Sequence, residues 1–393
     1  MTSATVTVAV RSYLDGLVAR NQIPVKSARA LEASGARTPE TILSLLQAFP
    51  SLARDGLINS PEVSNVVRKT AASATVNAVL AATAGNTSFG PLRRTATVSG
   101  YGAEAPPAAR WKPSQSVPIP PPTRASTAGL PVGASLVGAK QTDLRRCLPW
   151  PVRDQGQRGT CVAFGTAALR ELLMCEQANS LRDVCEQFLY WDIKTNSPDP
   201  QKSTDGTWIE FAFESLGRAG ICPEATWPYN PVLNSANISQ GGPGAPPVGA
   251  ASQAALWAVP ASLYHTVSAT SGNAQLVLDA LVKNGLPVAI SLPVFSDPLL
   301  PQADNWSTSA GWLFGNVLDP PPTSIVVGGH CVCVTGFQPD AAEPLGGYFV
   351  IRNSWSTQWG AQLPLAGHHG PEAGYGQVSA TYVDKFLWEY GQF

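Results

Sequence analysis

The chain has 393 residues, 44% of them hydrophobic, which is enough for more than one folded unit and a packed core. Its net charge is −1 with only 13% charged residues, so it carries neither a basic patch for nucleic acid nor a polybasic surface for anionic membrane, and both partners are excluded. Its 35 glycines and 35 prolines exceed average usage and gather in linkers and loops.

At the N-terminus, Arg11, Asp15 and Arg20 interrupt any apolar core, so no secretory signal is expected. The default expectation is a cytoplasmic protein, with export by a dedicated secretion route as the other option. No apolar run reaches the roughly 18 residues of a membrane-spanning helix. Without a signal peptide, the seven cysteines are expected to be free thiols. Cys331 and Cys333 lie two apart on a predicted strand and share a face, which reads as core rather than as a metal pair. Neither a metal nor an organic cofactor is expected.

Residues 1–84 read as a small helical module. Val10, Leu14, Leu17 and Val18 recur at helical spacing, as do Ile42, Leu45, Leu46 and Phe49, and Val63, Val66 and Val67. Thr38-Pro39-Glu40 and Ser60-Pro61-Glu62 each offer a cap residue, a proline at the first helical position and an acid in the first turn. Residues 85–138 turn to Ala, Pro, Ser, Thr and Gly and read as a semi-extended linker long enough to reach a cleft on its neighbour. Arg93-Arg94 and Arg110-Trp111-Lys112 are exposed candidates for cleavage within it. The third unit, residues 139–393, carries the chemistry.

In that unit a polar, glycine-punctuated loop, Pro151 to Thr160, contains Gln155 and ends at Cys161, after which Ala, Leu, Phe and Glu favour a helix. A cysteine at a helix N-terminus meets unpaired N–H groups and the positive end of the macrodipole, which stabilise a thiolate. A structural cysteine can occupy the same position. Next come a helix beginning near Cys185-Glu186-Gln187, the turn Asp205-Gly206-Thr207, and a helix over 208–217. A Gly, Pro and Ala loop spans 230–252. A helix over 275–283 then leads to predicted strands at 287–292, 325–327, 330–337, 348–352 and 376–380. Gly328-Gly329-His330 opens one strand, and Asn353-Ser354-Trp355 follows another. Of the four histidines, His330 alone combines a preceding glycine turn with a following strand. A cysteine nucleophile needs a base and the base needs an orienting group, and Cys161, His330 and Asn353 supply those three roles.

These stretches resemble the papain-like cysteine peptidase family, in a divergent, bacterial-type branch. The resemblance covers the chain from about Asp143 to its end. It implies an α+β, papain-like two-subdomain catalytic fold, a helical half facing a β-rich half across a cleft, preceded by the helical module and the linker. It further implies that Cys161 attacks a peptide carbonyl to form a thioester, that Gln155 donates to the oxyanion, that His330 is general base and acid, and that Asn353 orients it. Trp355 shields the Asn–His hydrogen bond, and Gly206, Thr207, Gly329 and Trp355 line the substrate cleft. Thr207 stands where the family has a second glycine, and Gly329 leaves no acid beside the base to favour basic side chains. Arg158 replaces a family cysteine, so the disulfide that commonly braces the Gln155 loop cannot form. Val162 and Cys331 replace the family's Trp and Ala.

The expected function is cysteine-type hydrolysis of peptide or protein substrates. Two alternatives stay open: a thiol acyltransferase or ligase on the same fold, and a latent peptidase-like binding protein. The N-terminal module either covers its own active-site cleft or binds a partner.

Overall fold

The computed structural model describes residues 13–54, 58, 63–67, 102–103, 135–145, 150–178, 182–231, 244–259, 263–266, 272–361 and 373–393. Ser60-Pro61-Glu62, both basic linker sites and His368-His369 lie outside them. The apolar spacing at the N-terminus becomes four short helices: α1 (Tyr13–Ala19), α2 (Val25–Ala33), α3 (Pro39–Ala48) and α4 (Ser51–Arg54), with a further helical turn at 63–67. Thr38 caps α3 in a reciprocal box with Thr41, and Pro39 opens the helix, as its fixed φ and missing N–H favour. Leu17, Leu31, Ile42, Leu45 and Phe49 close the module's core together with Leu313, Phe314 and Leu318 from the β-rich half. Polar ties reinforce this seam. Ser51 N donates to Asp297 Oδ2 at 2.8 Å, Ala310 N to Ser44 Oγ at 3.0 Å, and Arg37 Nη1 to the Tyr348 hydroxyl at 3.0 Å.

The helical half is built on α5 (Cys161–Ala178), α6 (Glu186–Asn196) and α7 (Ile209–Arg218), with α8 (Ala250–Ala255) beginning in the last residues of the stretch read as loop. In the other half lie α9 (Asn273–Asn284), α10 (Ser309–Phe314) and α11 (Ala380–Phe386). The strands are β1 (Thr142–Asp143), β2 (Leu263–Thr266), β3 (Val288–Asp297), β4 (Leu300–Asp304), β5 (Ile325–Pro339), β6 (Gly347–Arg352), β7 (Tyr375–Ser379) and β8 (Glu389–Gln392). They pair antiparallel in the order β2-β8-β3-β5-β6-β7, with β1 added to β5 and β4 to β3. β5 unites two predicted strands, because Gly328 and Gly329 stay extended opposite Val294 and Pro293 of β3. The last predicted strand stops one residue early, where the Ser379 hydroxyl accepts from Tyr382 N and starts α11.

β5 shows how the halves share one sheet. Val332 and Val334 point into the core with Ile290, Leu292, Phe349 and Ile351, whereas Cys331 and Cys333 point into the core of α5 and α7. Five cysteines are free thiols, but Cys175 is disulfide-bonded, which corrects the expectation of free thiols throughout. No described helix is long and apolar enough to cross a membrane.

Phe314 is buried in the seam between module and β-rich half, so Phe314→Ala is expected to cost about 3–5 kcal/mol. Urea unfolding checks this; an unchanged midpoint would remove the ring from the shared core.

Candidate active site

Pairing of β5 with β6 sets the first half of the site. Cys333 stands opposite Arg352, so Asn353, one residue further, lies diagonal to His330 and on its side of the sheet. His330 Nε2 and Asn353 Oδ1 are 2.7 Å apart, both residues buried. A carboxamide oxygen can only accept, so the ring donates through Nε2–H. The same Asn353 oxygen accepts from Ser354 N at 2.8 Å, which fixes the amide. Trp355 lies over the imidazole at 4.7 Å between ring centroids and 31° between planes, and Trp306 meets it edge-on at 5.1 Å. The indoles keep water from the His–Asn bond. Trp306 escaped the sequence reading, since nothing near it in sequence marks it as a neighbour of His330.

The loop before α5 is stitched to the Asn353 stretch. Asp154 bridges Trp355 antiparallel, Gln155 N donates to Ser354 O at 2.8 Å, and Ser356 N to Arg153 O at 3.0 Å. Gln155 is buried, its Oε1 accepting from the Ser354 hydroxyl and its Nε2 donating to Arg158 O at 2.9 Å. An amide nitrogen carries two hydrogens, so one is committed to holding the loop's shape. Ser354 is a second member that the sequence reading missed, although it adjoins Asn353. Arg158, in place of a bracing cysteine, is buried and donates to Gln187 Oε1 at 2.7 Å and Asn230 O at 2.8 Å, with its guanidinium over Tyr229 at 4.8 Å. Arg153 anchors the other end of the loop through Glu186 at 2.5 Å, Asp183 and Val184 O. Glu171 lies beside this cluster; burial and the neighbouring Glu186 push its carboxyl up to about 8.

Cys161 is the first residue of α5, as expected, but it is fully buried. Burial pushes its thiol up to about 11, although backbone N–H groups at Cys331, Gly102, Ala103 and Val162 pull the other way. This corrects the expectation of a ready thiolate: the helix N-terminus is present, but desolvation outweighs it.

Among the described residues, Gly102 and Ala103 form a strap over Cys161. Gly102 N donates to Cys161 Sγ at 3.2 Å, Gly102 O accepts from Thr207 N at 2.7 Å, and Ala103 N donates to Gly329 O at 3.1 Å. Ala103 and Thr207 form a parallel bridge. Gly206, at φ +89°, makes the turn into this strip. The structure therefore places Gly329 and Thr207 on opposite sides of one extended segment, with Cys161 between them. A β-carbon on Gly102 would overlap the Gly159 carbonyl, and one on Gly329 would overlap Ala103 O and the Trp388 ring. Asp205 ties the strip to the loop, accepting from Gly159 N at 3.0 Å and from the Tyr190 hydroxyl at 2.8 Å. Among the described residues, no three His, Cys, Asp or Glu gather as a metal would require.

Residues 138–363 match the family model described as papain family cysteine protease. Among curated proteins, the chain is 24% identical to digestive cysteine proteinase 2 of Homarus americanus over 211 residues, 53% of this chain and 55% of that one. It is 22% identical to a cathepsin L-like proteinase of Fasciola hepatica over 231 residues, 58% and 60% of the two chains. The chain thus spans between half and two thirds of the length of these relatives. Among solved structures, xylellain, a cysteine protease from Xylella fastidiosa, is 22% identical, with a TM-score of 0.48 over 75% of this chain and 95% of its own. The family match takes in more than half of the sequence, and by it the chain belongs, as a divergent member, to the papain family of cysteine proteases.

Proposed function

We propose that the protein is a cysteine-type peptidase whose own linker holds it latent. The observation that carries this reading is the backbone N–H of Gly102 on Cys161 Sγ, beside a His330–Asn353 pair sealed under two tryptophans. With the strap displaced, an extended peptide takes its place, pairing with Thr207 and Gly329 as the strap does. Asn353 accepts from Nε2–H and so keeps Nδ1 as the proton-accepting nitrogen of His330. The Cys161 thiol passes its proton to His330 and its sulfur adds to the peptide carbonyl. On this reading the Cys161 N–H and the Gln155 amide donate to the developing oxyanion, where such donors supply much of the rate enhancement. His330 then protonates the leaving amine and, in the second step, deprotonates the water that hydrolyses the thioester. Asn353 and Trp355 act through the ring: one fixes its tautomer, the other keeps that bond dry.

Latency follows from the same contacts. The strap fills the place of a substrate, and its Cys161 is a thiol at neutral pH. The helical module grips the β-rich half through Ser44, Ser51 and Arg37.

Full-length protein treated with an epoxysuccinyl inhibitor is expected to gain one adduct slowly, and Cys161→Ala none. Gly102→Val, which cannot fit against Gly159, is expected to label roughly five- to thirtyfold faster, the loss of one or two backbone hydrogen bonds of about 1 kcal/mol each. Adduct on the Cys161→Ala variant, or none on Gly102→Val, would sink the reading. Intact-mass spectrometry measures both.

The pH dependence has a definite sign. Burial beneath the strap favours the protonated thiol more than the strap's own N–H groups favour the thiolate, so that net contribution to closure is complete below the ordinary thiol range and is lost as pH rises through about 11. Iodoacetamide labelling of Cys161 in the intact chain should therefore keep accelerating towards pH 11, whereas Gly102→Val should level off earlier. Equal inflections would show that the strap does not set the thiol's acidity.

A further inference from the structure

Thr207 occupies a position that serves as a backbone-only contact, and a β-branched side chain there has to be disposed of. Its Oγ1 donates to Asp199 Oδ2 at 2.9 Å, and that carboxylate oxygen also accepts from Lys194 Nζ at 2.9 Å. Both members of the ion pair have fully buried side chains. Lys194 Nζ donates further to Gln201 O at 3.0 Å and to Gly206 O, and Asp199 Oδ1 accepts from Gln201 N at 2.7 Å. An isolated charge at this depth is strongly unfavourable, and the pair with its added hydrogen bonds offsets that cost. The ammonium thus fixes the carbonyl just before Thr207, and the carboxylate fixes the hydroxyl of Thr207 itself. Between them, they set the peptide plane whose N–H points at Gly102 O, 2.7 Å away.

We infer that Lys194 and Asp199 are positioning residues that draw the Thr207 side chain under the strip, so that Thr207 binds an extended chain through its backbone alone. The inference deepens the peptidase reading by naming what orients the strip that receives both strap and substrate. It is tested on the full chain without turnover, so it stands or falls separately from that reading.

The probe is iodoacetamide, and the readout is the rate of Cys161 carbamidomethylation by peptide mass mapping, since a weaker strap contact exposes the thiol more often. Thr207→Ser keeps the hydroxyl and is expected to label within about twofold of wild type, whereas Thr207→Val keeps the shape, loses the hydrogen bond and should label roughly fivefold faster. Equal rates for wild type, Ser and Val would overturn the inference. Lys194→Met/Asp199→Leu removes both charges together and should accelerate labelling when residue 207 is threonine. In a Thr207→Gly background, with no side chain to hold, the same double change should alter the rate by less than about twofold. Persistence of its full effect there would show a general loosening of the 199–206 loop, and the positioning role would be wrong. Circular dichroism identifies any variant that has not folded, and the Ser and Val pair then decides alone. If labelling follows the expected pattern but no peptide is hydrolysed after strap displacement, the peptidase reading fails while the positioning role holds.

Discussion

The site depends on how closely a helix can lie on a strand. Gly165 sits one turn into α5 against Cys331 Sγ and the Val332 backbone, and a β-carbon there would stand 2.9 Å from that sulfur. With no side chain between them, the first turn of α5 settles on β5 near His330. Two separately packed cores therefore meet along one line, and the cysteine and the histidine come from opposite sides of it. Cys331 and Cys333 belong to the same contact: small sulfur side chains fill what a larger residue would pry apart.

What could be read from the sequence was what is written locally. A helix start, a cap box, a histidine after two glycines and an asparagine ending a strand each carry their signal within a few residues. Thr38, Cys161, His330 and Asn353 stand in the elements expected of them. What escaped depends on register between distant segments. β2 and β8 are four residues each and owe their existence to pairing with one another and with β3. β5 carries irregularities against β3 at Val294/Phe295 and against β6 at Val334/Gly336, and no sequence period announces them. Trp306 reaches His330 from a loop 24 residues upstream, and the Asp199 that holds Thr207 lies eight residues before it in an unremarkable Ser-Pro-Asp-Pro turn. The acidity expected for Cys161 was right about the helix and wrong about the solvent, because the strap that dries the thiol comes from a segment of plain linker composition.

The site combines opposed demands. A nucleophilic sulfur gains from exposed backbone N–H groups, and a stored one gains from being kept protonated and dry. Here the same atom receives N–H groups from the strap and is desolvated by it, with burial the larger effect. On the proposed reading, activation requires displacement of Gly102 and Ala103, while the His330–Asn353 pair, its indole cover and the stitched Gln155 loop are already in their places.

The strap's hydrogen bonds to the cleft come from its backbone, which has a consequence for how such a chain can change over time. Contacts made by amide and carbonyl groups are indifferent to the letters that carry them, whereas the Ala103 side chain is buried in the core of α5 and α7. Gly102 is held more tightly still, since any side chain there meets the Gly159 carbonyl. On the proposed latent reading, selection would then bear hardest on the codon of Gly102, where a base change that brings in a side chain would dislodge the strap.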